Sequence, residues 1–129
     1  LPRGQWGYFA LADAAQNLSA VTAACMLTKR SVFEAVNGFT EELSVAFNDI
    51  DYCLKVREIG LLVVYTPEAE LYHYESLSRG YETSVEKQIR FHREVSYINY
   101  RWADYFVRGD PYINVNVTND EPFNCYYHL

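Results

Sequence analysis

Positive charge is scarce in this sequence. Eleven lysines and arginines stand against 17 aspartates and glutamates, leaving a net charge of −6. That shortage argues against a nucleic-acid footprint, which needs a clustered basic face. Lys29-Arg30 is the only basic cluster, and Lys87, Arg90 and Arg93 are spaced along a later helical pattern as a solvated face would be. Cysteine is scarce too: three residues, an odd number, without CxxC spacing. Cys25 and Cys53 lie inside apolar segments, where buried free thiols are ordinary, and a reducing compartment is the simplest inference. No apolar run approaches the roughly 18 residues of a membrane helix, and no signal peptide leads the chain. Asn17-Leu18-Ser19 and Asn116-Val117-Thr118 match the glycosylation sequon, which means little without a secretory signal. There is no phosphate-binding P-loop, no GxGxxG, no GxSxG and no zinc-type Cys/His spacing. Opening on Leu1-Pro2-Arg3 without methionine, the chain reads as a piece of something longer.

What is present is enough for a core. The 129 residues are 50% hydrophobic and fit one domain, 1–129. Twelve tyrosines suit a core boundary or a sugar-binding groove. The alanine-rich stretch Tyr8 to Gln16 fits a short helix, and Ser19 to Thr28 is a β-branched, uncharged run expected to form a buried strand. Ser31 to Val36 has capping-box spacing at Ser31 and Glu34 and ends at Asn37-Gly38. A second helix is expected from Asp49 to Glu58, with Ile50, Cys53, Leu54 and Val56 on its apolar face and Gly60 as its stop. Leu61 to Thr66 and Ala69 to Tyr74 read as strands. Thr83-x-x-Glu86 then opens the longest helix, about 84–107, with Val85, Ile89, His92, Val95, Ile98, Trp102 and Tyr105/Phe106 on its apolar stripe. The tail, 108–129, is polar and irregular. Strands and helices alternate, so the class is α/β.

Titratable chemistry concentrates at two places. Asp49-Ile50-Asp51 puts two carboxylates at a helix start, where the dipole and free N–H groups favour them. It matches the D-x-D pattern of metal sites, but a helix follows at once where a strand exit would be needed. The pair reads as one general base, Asp49, with a structural acid, Asp51. On local pattern the simpler explanation is two capping acids. His73 lies in Leu71-Tyr72-His73-Tyr74-Glu75-Ser76 at an expected strand end, where ligands meet α/β sheets. A boundary histidine bonded to backbone explains it equally. Glu75, Ser76, Ser78 and Arg79 suit a hydroxyl or phosphate, or simply a turn. His92 reads as a packed core histidine.

The order of segments carries more than any one of them. Val21-Thr22-Ala23-Ala24-Cys25-Met26-Leu27-Thr28 leads through Val36-Asn37-Gly38-Phe39 to Phe47-Asn48-Asp49-Ile50-Asp51-Tyr52-Cys53-Leu54. Tyr65-Thr66-Pro67-Glu68-Ala69-Glu70-Leu71-Tyr72-His73-Tyr74-Glu75-Ser76-Leu77-Ser78-Arg79-Gly80 follows. Over 17–80, and more loosely through the long helix, this resembles the C-terminal half of family 2 glycosyltransferases of the GT-A fold that build bacterial cell-surface polysaccharide. The resemblance implies that Asp49 is the catalytic base, with Asn48 where the family usually has glutamate. It implies that Asn48, Asp51 and Glu75 support the loop or the acceptor, and that Thr22, Ala23 and Ala24 form the small-residue loop beside the donor sugar. Arg79 would face the diphosphate and His73 would ligate Mg²⁺ or Mn²⁺ in the full-length enzyme. The partners implied are a nucleotide-diphospho-sugar and a glycan or lipid-linked acceptor, on the cytoplasmic side, reaching to the inner face of the membrane. The donor-binding half has no counterpart here, so the chain alone is expected to be inactive and, with an unpaired sheet edge, to self-associate. The alternative is a non-catalytic glycan-binding or protein-interaction module on the same half-fold. A stand-alone metal-dependent hydrolase lacks the ligands.

Overall fold

The helix expected at Asp49 forms at the centre of the molecule. In the computed structural model, which describes residues 4, 8–73, 84–113, 117–121 and 124–127, it spans Asn48–Glu58 and is labelled α2. Before it come β1 (Gln16–Leu18) and α1 (Arg30–Ala35). After it come β2 (Val63–Tyr65), α3 (Val85–Arg101), α4 (Ala103–Arg108), β3 (Val117–Glu121) and β4 (Asn124–Tyr127). Among the described residues, four α-helices and two separate antiparallel strand pairs, β1–β2 and β3–β4, make this an α/β chain. No described helix is long and apolar enough to cross a membrane.

Neighbours on both sides explain the burial of α2. Leu54 joins Leu43, Ile98 and Trp102 in one cluster, while Tyr52 and Val56 join Val36 in another, packed by Met26, Val32 and Phe33. A single apolar face was expected; instead Asp51, Tyr52, Cys53, Leu54 and Val56 are all buried. A helix flanked by packing on two sides buries most of its circumference. Rings tighten the α1 side: Phe33, Phe39 and Tyr52 lie 5.2–5.7 Å apart between centroids.

Several elements depart from the sequence reading. Ser19 to Thr28 is no strand. β1 ends at Leu18, a 3-10 turn occupies Ala23–Cys25, and Leu27 is fully exposed. The segment's polar groups bond to side chains instead of a ladder: Ser19 Oγ reaches Asp110 Oδ1 at 2.6 Å, and Ala23 N–H reaches Asp49. Composition signalled apolar backbone but could not supply a partner strand. Leu61 to Thr66 contracts to Val63–Tyr65, with Gln16 opposite Tyr65 and Leu18 opposite Val63. Residues 69–73 form no strand, and Tyr74 lies outside the described residues. The Tyr8 to Gln16 helix is a 3-10 segment, Tyr8–Asp13.

The long helix breaks at Trp102, which caps α3 and starts α4. Ser84 is its N-cap, accepting from Lys87 N–H at 3.3 Å. The stripe read from sequence holds only at its end, where Ile98 and Trp102 are buried; Val85, Ile89 and His92 face solvent. His92 is therefore not a core histidine. The tail carries the β3–β4 pair where irregular chain was expected.

Candidate functional site

Asp49 occupies the first turn of α2 and is half-buried. Its Oδ1 accepts from Ile50 N–H at 2.9 Å, and its Oδ2 accepts from Ala23 N–H at 3.1 Å. The second bond spans 26 residues and brings two predicted site segments together. Thr22 shapes the other side of that contact: as N-cap of the 3-10 turn, its hydroxyl accepts from Ala24 N–H at 3.3 Å. Thr22, Ala23 and Ala24 are exposed, so this carboxylate and this loop share one open face. A carboxylate offers about four acceptor directions, and two N–H groups orient it while leaving others for a hydroxyl. Cys53, one turn further along α2, is buried beneath it with its Sγ 3.8 Å from Val21 O. Burial pushes the Cys53 thiol above its ordinary value of 9.0, and the Asp49 charge adds to that.

Asp51 belongs to a different environment. Its carboxylate is 1% exposed and accepts from Trp102 Nε1–H at 2.9 Å and from Thr40 Oγ1–H at 2.6 Å. Lys55 Nζ pairs with it at 3.3 Å and also donates to Gly38 O and Thr40 Oγ1. One buried acid thus ties α2 to the α3–α4 break and to the loop after α1. A buried charge persists only when paired and bonded in this way.

The segment just before Asp49 is held under strain. Phe47 caps α2 with φ 64°, a left-handed conformation that costs a non-glycine residue about 1–2 kcal/mol. Its ring lies against Phe91, centroids 5.7 Å apart. The three residues before it converge on Glu94 of α3. Ser44 Oγ–H and Val45 N–H donate to Glu94 Oε1, and Ala46 N–H donates to Oε2, each at 3.0 Å. Glu94 is 1% exposed, with Arg90 Nε 3.7 Å away. Sequence reading passed over Glu94. The available signal was its register, since Glu94, Ile98 and Trp102 follow at four-residue steps along the buried face.

Asn48 is the first, half-buried residue of α2. His73 is exposed, past the turn that follows β2. Glu75 and Arg79 lie outside the described residues. Among the described residues, no group of three or more His, Cys, Asp or Glu side chains could hold a metal ion. The described donor set therefore does not fit Mg²⁺ or Mn²⁺ by itself.

A second polar cluster closes the far end of α2. Arg57 donates to Ser19 Oγ at 2.9 Å and lies over the rings of Tyr105 and Tyr112, about 5 Å from each centroid. Tyr105 also bonds Ser19, and Asp110 bonds both Ser19 and Tyr112 N–H. It fixes α4 and the Asp110-Pro111-Tyr112 turn against β1 and α2.

Comparison with known proteins places this chain among longer ones. An uncharacterised protein of Sinorhizobium fredii, y4gI, is 54% identical over 112 residues, covering 86% of this chain and 12% of that protein. The O-antigen biosynthesis protein RfbC of Myxococcus xanthus is 36% identical over 104 residues, 80% of this chain and 8% of RfbC. An N-acetylglucosaminyl-diphospho-decaprenol L-rhamnosyltransferase of Mycobacterium tuberculosis is 31% identical over 78 residues, 60% of this chain and 25% of the enzyme. The chain thus spans a quarter or less of the length of these curated relatives. No family model and no solved structure matches. The chain is related in sequence to proteins named for glycosyl transfer and for O-antigen biosynthesis.

Proposed function

We propose that this chain is the acceptor-side, C-terminal part of an inverting family 2 glycosyltransferase with the GT-A fold, acting in bacterial surface-polysaccharide synthesis. The observation that carries the reading is the Asp49–Ala23 bond, which sets a directed carboxylate on the same open face as the Thr22-Ala23-Ala24 loop. In the proposed reaction the Asp49 carboxylate takes the proton from an acceptor hydroxyl as that oxygen bonds to the anomeric carbon. The bond from that carbon to the nucleoside diphosphate breaks on the opposite face, and the diphosphate departs with the electron pair. One displacement inverts the centre. The small Thr22-Ala23-Ala24 side chains leave room for the donor sugar. Asp51, being buried, supports the loops and does not touch the acceptor, while Asn48 flanks the base. Arg79 and Glu75 remain assigned to the diphosphate and the acceptor side. His73 supplies at most one ligand to a divalent ion.

Because the matched segments make up a quarter or less of each relative, the 129-residue chain alone is proposed to be inactive. The test is release of nucleoside diphosphate from nucleotide-sugars by the complete gene product, with Asp49 intact or replaced by Asn. Loss of release in Asp49→Asn supports the base assignment. Retained release favours a glycan-binding module, a reading that draws on the exposed Tyr72 and Tyr100.

A further inference from the structure

We infer that Glu94 is the positioning residue for the Asp49 carboxylate, acting through the strained loop that joins them; this rests on the reading of Asp49 as the base. Three donors from consecutive residues 44–46 end on one buried carboxylate, each at 3.0 Å. Two successive backbone N–H groups aimed at one anion form a concave cradle that fixes the peptide planes between them. The next residue, Phe47, is left-handed, and the two after it are Asn48 and Asp49. A left-handed phenylalanine persists only where its surroundings over-determine it. Glu94 supplies that constraint from one side, and the tilted ring contact of Phe47 with Phe91, three residues before Glu94 on α3, supplies it from the other. Releasing residues 44–46 lets Phe47 relax toward negative φ. That rotation turns the first residues of α2 and swings the Asp49 side chain away from Ala23 N–H. The acid on α3 thereby sets the direction of a carboxylate it does not touch.

The experiment reads the Ala23 amide by ¹⁵N–¹H NMR of this chain. Asp49→Ala defines the resonance position of an Ala23 amide that has lost its side-chain acceptor. In Glu94→Gln the side chain keeps an acceptor for one or two donors and loses the second oxygen. Val45 and Ala46 amide exchange should then speed up roughly ten- to hundred-fold. The Ala23 resonance should move toward its Asp49→Ala position while the rest of the spectrum stays folded. If Glu94→Gln does not fold, Ser44→Ala removes one donor from an exposed residue, and the same displacement, smaller, is expected. Movement of Val45 and Ala46 with Ala23 unmoved overturns the inference, whichever variant is read. Failure of the base assignment looks different: Asp49→Asn then keeps transfer in the complete gene product even though Glu94→Gln moves Ala23. Where the base assignment holds, Glu94→Gln lowers kcat in the gene product with KM little changed; a rise in KM alone overturns the positioning role.

Discussion

Asp49 and Asp51 are two residues apart and do opposite things, and burial decides which. Asp51 is enclosed and spends its lone pairs on Trp102, Thr40 and Lys55; Asp49 stays half-buried with acceptor directions to spare. Replacing Trp102 by Phe keeps most of the packing but leaves the Asp51 carboxylate one donor short. A loss of about 1–3 kcal/mol is expected, measured by urea unfolding. The cysteines give an independent check on this region. Cys53 is buried and its thiol is pushed up, so at any alkaline pH it carries less thiolate than an ordinary cysteine. Peptide mapping after iodoacetamide treatment at pH 8 should find the exposed Cys25 alkylated well before Cys53. Equal rates would show that the floor under Asp49 opens readily. The two-acid spacing was legible in the sequence, but the division of labour was not. It depends on Trp102, 51 residues from Asp51, and on Ala23, 26 residues from Asp49.

Helix C-terminal stops were the most legible elements because their causes are local. The N-terminal capping pairs read at Ser31/Glu34 and Thr83/Glu86 were not, since α1 is capped by Lys29 without a side-chain bond and α3 by Ser84. Gly38, after α1, has φ +62°, and an added Cβ would sit 2.7 Å from Phe33 Cζ. Gly60, after α2, has φ +81° but open space around it. Gly38→Ala should therefore destabilise more than Gly60→Ala: both incur roughly 1 kcal/mol of backbone strain, and only the first must also push a ring aside. Unfolding midpoints of the two variants give the comparison. The start of α3 responds to acid. Glu86 is held below its ordinary value of 4.5 by its own backbone N–H and by Ser84. The folded chain thus favours the ionised form, and that support is present above about 4.5 and fades as pH falls through the folded value. Helicity at α3 should decline at its first turn on acidification before the core is lost. The strand read at Ser19 to Thr28 failed for the opposite reason, since a strand needs a partner that local composition does not name. Glu94 was missed likewise: its donors lie 48–50 residues away, and its own helix signals it through nothing but its four-residue register with Ile98 and Trp102.

Taken together, two core clusters on either side of α2 support a chain that leaves much apolar surface open. Leu27, Leu62, Val64, Leu71 and Val107 are more than half exposed, and β1–β2 is only a two-stranded pair. Such pairs are marginal without further strands or packing, and open apolar surface favours association. Sedimentation velocity should show the isolated chain self-associating as concentration rises; a clean monomer throughout would contradict that. The α/β class and the glycosyl-transfer relation were both readable from segment order, whereas the convergence of loop, helix and buried acid on Asp49 needed coordinates. The central claim is that this convergence aims a catalytic base. Its most direct test is kcat of the complete gene product carrying Asp49→Asn, measured with a nucleotide-diphospho-sugar and its acceptor. Loss of general-base assistance predicts a fall of about 10²–10⁴ with the chain still folded. Transfer within a few-fold of the unaltered protein would contradict the account.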